Sequence, residues 1–239
     1  MQINNCYNQA QVRKKEPYFK ATIYYVDGAT FEEKQKLLVD CYEVGNPIRS
    51  DFTIEEAAVN KSSAYTLSAR DCVVSSIFNP ETKKVNQNHL APYQKTILSI
   101  DEVAETMFAH TQQLLGNSKI RLEGFLTAGE GYMRTDEDLK LFQMFENNFK
   151  KVSNILGMDY SVIAQRRDGQ TQVDLISDAV ADAHYVYVKD NEGKNLIENL
   201  SDFMDAFVIK ILSPKDKLVI MGKDVTEGFR PLGFKSLRV

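Results

Sequence analysis

The chain of 239 residues contains no tryptophan, only three cysteines, three histidines and six prolines. Cys6, Cys41 and Cys72 are odd in number and widely spaced. No CxxC or CxxH pattern occurs, which removes the usual zinc-ligand frameworks. An odd, scattered set of thiols also makes a poor disulfide scaffold and suits a reducing compartment. No stretch approaches the roughly 18 apolar residues that a membrane-crossing helix needs. The opening residues, MQINNCYNQAQVRKKEPYF, lack an apolar h-region, so no Sec-type signal peptide is expected. There is no basic excess: 29 Lys and Arg stand against 33 Asp and Glu, for a net charge of −4. That balance argues against a general nucleic-acid binder. The GxSxG elbow of a serine hydrolase is missing as well.

What is present suits a folded domain. A hydrophobic fraction of 43% and a charged fraction of 26% are ordinary for a globular chain. The length can bury a sizeable core without staples. Residues 18–26 (YFKATIYYV), 37–44 (LLVDCYEV), 72–79 (CVVSSIFN), 84–90 (KVNQNHL), 183–189 (AHYVYVK) and 217–221 (KLVIM) read as strands. Residues 120–133 read as a strand running into a glycine-containing loop. Helices are expected over 101–116, with Val103, Met107, His110 and Leu114 on one face, and over 135–157, where Leu141, Phe145, Phe149 and Val152 form a stripe. Thr135 is the expected N-cap of the second helix and Gly157 its stop. Asp168-Gly169 predicts a hairpin joining SVIAQRR to QTQVDLIS. Residues 1–16 read as a polar arm and 45–56 as a loop, while 195–212 fits helix or strand. Without regular βαβ alternation the fold class is α+β: largely antiparallel or mixed sheets, sandwich-like and flanked by helices.

One stretch concentrates the chemistry. In TLSARDCVVSSIFNPETKKVNQNHLAPY (66–93), Cys72 opens one strand and His89 closes the next, seventeen residues on. The NPET turn between them folds the strands into a hairpin, whose open ends bring thiol and imidazole together. A thiol is mostly protonated at neutral pH, and a nearby imidazole can take its proton to make a nucleophilic thiolate. The hydroxyl of Thr66, six residues before Cys72, is a candidate to orient that imidazole. A cysteine is more commonly a small buried hydrophobe, and that reading holds for Cys6 and Cys41 unless they are surface thiols. His110 and His184 read as structural, and Arg166-Arg167 as a solvated hairpin tip.

The same residues carry a resemblance. T-L-x-x-x-x-C-V-V at 66–74, F-N-P at 78–80 and H-L-A-P at 89–92 resemble the signature of CheD-type protein glutamine deamidases. AGEGYM at 128–133 is similar to that family's Ala-Gly-Gly-x-x-Met loop. The resemblance implies a CheD-like core over 57–190, with 1–56 an N-terminal extension packed on it and 191–239 a C-terminal extension of the same domain. It implies Cys72 as nucleophile, His89 as its base and Thr66 as the third member. Gly129, Glu130 and Gly131 become candidates for a substrate loop. The chain departs from the family at Arg70 and Asp71, which stand where the family has Gly-Ser, and at Glu130, which replaces a glycine. Arg70 and Asp71 thus reshape the turn beside the nucleophile, where the oxyanion would be held, or take part in recognition.

The implied reaction converts a glutamine side chain of a protein to glutamate through a thioester, without metal or cofactor. The extensions resemble those of cytotoxic-necrotizing-factor and lethal-factor toxins. They imply an effector acting on a host protein, with no nucleic-acid partner and no membrane span. The expected location is the bacterial cytoplasm or, after export without a Sec signal, a host cytosol. Three alternatives stay open at this stage: a chemoreceptor deamidase of bacterial chemotaxis, a degenerate binding module of the same fold, and a cysteine protease.

Overall fold

The computed structural model describes residues 21–25, 41–44, 57–70, 72–90, 100–118, 121–128, 136–165, 171–190, 199–211 and 216–229. Thirteen strands are found among these residues: β1 (Thr22–Tyr25), β2 (Tyr42–Glu43), β3 (Ala57–Lys61), β4 (Ser63–Ala69), β5 (Val73–Asn79), β6 (Lys84–Leu90), β7 (Glu123–Ala128), β8 (Asp159–Gln165), β9 (Thr171–Asp178), β10 (Ala183–Asp190), β11 (Phe207–Ile211), β12 (Lys217–Ile220) and β13 (Lys223–Asp224). The described helices are α1 (Ile100–Leu115), α2 (Asp136–Leu156), α3 (Leu200–Ala206) and the single turn α4 (Thr226–Phe229). The class is α+β. The sheets are mixed: seven strands run in the order β13-β12-β1-β10-β9-β4-β2, and six in the order β11-β8-β7-β5-β6-β3.

Two turns of the same build set the register at the centre. After β5, the Asn79 side chain accepts from the backbone N–H groups of Glu81 and Thr82, and Lys83 adopts a positive φ of 54°. After β9, Asp178 accepts from Val180 and Ala181, and Asp182 has φ 52°. Asn and Asp favour such turns because their short side chains bond the backbone two residues on. The turns close the pairs Asn79–Lys84 and Asp178–Ala183, so every later pairing along each hairpin follows. The two tips are clasped by the Lys83–Asp182 ion pair at 2.9 Å, which joins one sheet to the other.

The sheets face one another across an apolar interior. Ala69, Val173, Leu175, Val186 and Val188 of the seven-stranded sheet meet Val74, Phe125, Ile163 and Phe207 of the other. The outer face of the six-stranded sheet is covered by α1 and α2, where Met107, Leu114, Phe145 and Phe149 pack on Val73, Ile77, Leu90, Leu126 and Val162. All seven residues of β5 are consequently buried, including the polar Ser75, Ser76 and Asn79. Strands from residues 57–190 are contiguous in both sheets, and the strands from outside that span are added at the flanks.

Several expectations are revised. The Asp168-Gly169 hairpin does not form: β8 pairs with β7 and β11, whereas β9 pairs with β10 and β4 in the other sheet. Ile163 of β8 and Val173 and Leu175 of β9 all belong to the interior cluster, so the strands meet through side chains across the core. Residues 57–69, assigned to no element from sequence, form β3 and β4. The segment 195–212 holds both alternatives in succession: α3, begun by an Asn199–Asp202 capping box, and then β11. The arm at 1–16, the loop at 45–56, the N-cap Thr135, the Asp168-Gly169 dipeptide itself and the Arg166-Arg167 pair lie outside the described residues.

Candidate functional site

The β5–β6 register pairs Val74 with His89 and Val73 with Leu90. Cys72 precedes β5 by one residue. Side chains alternate along a strand, so Cys72 and Val74 share the face on which His89 stands opposite Val74. The thiol and the imidazole are thus diagonal neighbours on adjacent strands, a separation of about 7–8 Å between backbones that side chains can bridge. That face looks into the sandwich. His89 is 4% exposed, and Cys72 is half-buried at the rim, packed against the interior cluster.

Thr66 approaches from the opposite sheet. It is fully buried on β4, paired with Leu175 of β9. Its hydroxyl donates to Gln87 Oε1 at 3.4 Å, and Gln87 lies one inward step along β6 from His89. Gln87 Nε2 in turn donates to Ser177 Oγ at 3.2 Å, and Ser177 Oγ stands 3.1 Å from His184 Nδ1. Gln87, Ser177 and His184 thus form one buried polar chain that links the two sheets. Burial pushes the His184 pKa from 6.5 down to about 3, in keeping with a neutral ring. The ring stacks on Phe78 at 4.2 Å and leans on Phe125 at 4.9 Å. His184 is therefore a structural histidine, as expected. His110, half-buried on α1, has its pKa lowered by burial, and its ring Nδ1 is 3.4 Å from Asn88 Oδ1.

Between β4 and β5 the chain crosses from one sheet to the other. A bulge in β4 between Thr66 and Ala69 begins the crossing. Ser68 has φ 57° there, and its N–H donates to Asp174 Oδ1 at 2.7 Å. Asp174 is buried and also pairs with Lys189 at 2.8 Å, so a low-dielectric ion pair braces the segment that leads to the thiol. Arg70 is exposed on this crossing.

No family model matches the chain, and no curated protein matches its sequence. Asp71, Gly129, Glu130 and Gly131, together with Pro92, lie outside the described residues, as does Cys6. Among the described residues no three His, Cys, Asp or Glu side chains gather as a metal would require. No described helix is long and apolar enough to cross a membrane.

Sequence reasoning did not single out Gln87, Ser177 or Asp174. The sequence does carry a signal for the first. KVNQNHL places four consecutive polar residues in the second strand of the expected hairpin, and β6 is buried from Val85 to Leu90. Buried polar groups need partners, so a polar run of this kind announces an internal network. On the other face of β6, Asn86 donates to the His110 carbonyl at 2.7 Å and Asn88 to Ser75 Oγ at 3.2 Å.

Proposed function

We propose that the protein is a protein-glutamine deamidase with Cys72 as nucleophile, His89 as general base and acid, and Thr66 as a positioning residue. The observation that carries this reading is the β5–β6 register, which sets a rim thiol and an inward imidazole on one face of adjacent strands. The resemblance of the 66–93 stretch to CheD-type deamidases supplies the reaction class. His89 takes the Cys72 proton, and the thiolate adds to the carbon of a glutamine carboxamide. The tetrahedral intermediate collapses as His89 returns the proton to nitrogen, so that ammonia leaves rather than the very basic amide anion. Water, deprotonated by His89, then hydrolyses the thioester, giving glutamate and restoring the thiol. Thr66 acts through Gln87: the Thr66–Gln87 bond fixes the residue neighbouring His89 on the same face of β6. The target is a host protein with an accessible glutamine, and the change replaces a neutral donor–acceptor amide with an acceptor-only carboxylate.

The test is to incubate the protein with glutamine-containing target proteins. We expect ammonia release and replacement of NH2 by OH on a glutamine, read by peptide mass spectrometry and abolished by Cys72→Ser. Iodoacetamide should label Cys72 faster than Cys6 or Cys41, and His89→Ala should slow that labelling by roughly tenfold or more. Equal labelling of the three thiols with no ammonia released would rule the deamidase out and favour a binding module. Backbone cleavage would make the protein a protease.

A further inference from the structure

Val74 lies between two polar residues on the inward face of the six-stranded sheet. His89 is its partner on β6, and Thr127 its partner on β7. Cys72, two residues along β5 on that face, is therefore bracketed by the imidazole on one side and the Thr127 hydroxyl on the other. Thr127 is fully buried, and its Oγ1 has no hydrogen-bond partner among the described residues. A buried hydroxyl left unsatisfied is destabilising, and valine has nearly the same shape without that cost. A threonine at this position calls for an explanation that a purely structural role does not supply.

We propose that Thr127 is a catalytic residue whose hydroxyl donates a hydrogen bond to the oxyanion formed when Cys72 attacks a primary carboxamide. The inference rests on the deamidase reading above and names a donor within that site. When sulfur bonds to the carboxamide carbon, the carbonyl π pair moves to oxygen. Three other groups then surround the carbon. The nitrogen must face His89, which protonates it, and the rest of the glutamine must point outward past the rim. The oxygen is left facing β7, where Thr127 stands. Its O–H donates without giving up the proton. As the carbon–nitrogen bond breaks and ammonia departs with the proton from His89, the oxygen's pair re-forms the carbonyl of the thioester. Donors poised where charge develops act on the transition state rather than the ground state.

The experiment compares wild type, Thr127→Val and Thr127→Ser on an N-acylated Gln-Gly dipeptide. It reads ammonia release, the pH profile of Cys72 modification by methyl methanethiosulfonate, which has no carboxamide, and the urea midpoint. Thr127→Val should lower kcat by about 10²- to 10³-fold, the loss typical of one oxyanion donor. KM should change little, because the bond is made only in the transition state. The thiol pH profile should be unaltered and the urea midpoint equal or higher. Thr127→Ser should keep turnover within roughly tenfold of wild type, because it retains the donor. Wild-type kcat in Thr127→Val overturns the assignment. So does a fall in turnover matched by an equal fall in thiol reactivity, which would mark a structural role. Wild-type protein that releases no more ammonia than Cys72→Ser defeats the deamidase reading itself, and Thr127 with it, an outcome visible without any change at position 127.

Discussion

His184 packs against Phe78 and Phe125 with its Nδ1 3.1 Å from Ser177 Oγ, and its burial favours the neutral ring. In the unfolded chain the same ring gains a proton near pH 6.5, whereas in the fold its pKa is lowered to about 3. The stability it contributes is fully present above pH 6.5 and is lost as pH falls from there toward about 3. The slope is at most about 1.4 kcal/mol for each pH unit. His110, lowered in the same direction by burial, steepens the loss. Urea midpoints measured at pH 7.5 and 4.5 should fall sharply for wild type and less for His184→Phe, which keeps the stacking and removes the titration. A midpoint as acid-sensitive in the variant as in wild type would place the sensitivity elsewhere. At this scale the sequence was partly legible. The β5–β6 hairpin, whose register sets Val74 opposite His89, could be read from turn chemistry and strand length. The Thr66–Gln87 bond could not, because its two residues come from different sheets.

Where strand meets helix, packing leaves no slack at one position. A Cβ built on Gly124 in β7 would lie 2.8 Å from Phe149 Cζ on α2 and 3.1 Å from Met158 Cε. The glycine lets the helix approach the sheet, and Phe149 fills the space. Gly124→Ala should destabilise by about 1–3 kcal/mol through overpacking, and Phe149→Leu should recover part of that loss in the double variant. Additive losses in denaturant titrations would show that the two sites do not compete for the space. Elements with a strong local signature were read well from sequence. The observed α1 (Ile100–Leu115) and α2 (Asp136–Leu156) match the expected spans to within a residue, since apolar period and stop signals are local. Of their expected stripes, Met107, Leu114, Phe145, Phe149 and Val152 are buried. β3 and β4 escaped notice because AAVNK and SAYTLSA carry little hydrophobicity of their own; their burial comes from the partner strands.

Across the whole molecule the chain is closed by strands remote in sequence. β1 lies between β10 and β12 and runs parallel to both, and Ile23 and Tyr25 enter the interior cluster. Glu123 Oε2 accepts from the Ala21 N–H at 3.0 Å, tying this segment to the opposite sheet. Deleting residues 1–25 should therefore cost far more than trimming an appendage, because each large side chain lost from a core is worth about 2–5 kcal/mol. We expect the truncated protein to lose cooperative thermal unfolding by circular dichroism and to be cut rapidly by trypsin. A cooperative melt within a few degrees of the full chain would show that the two sheets stand without β1. The sequence by itself determined the α+β class, the two long helices and the hairpin that brings Cys72 and His89 to one face. Each of these depends on periodicity and turn residues within a few tens of positions. Only the tertiary structure decided that β8 and β9 belong to opposite sheets, that β1 fills the gap beside β12, and that Thr127 flanks the thiol. Those outcomes depend on which distant surfaces bury one another best, and no local pattern encodes that competition.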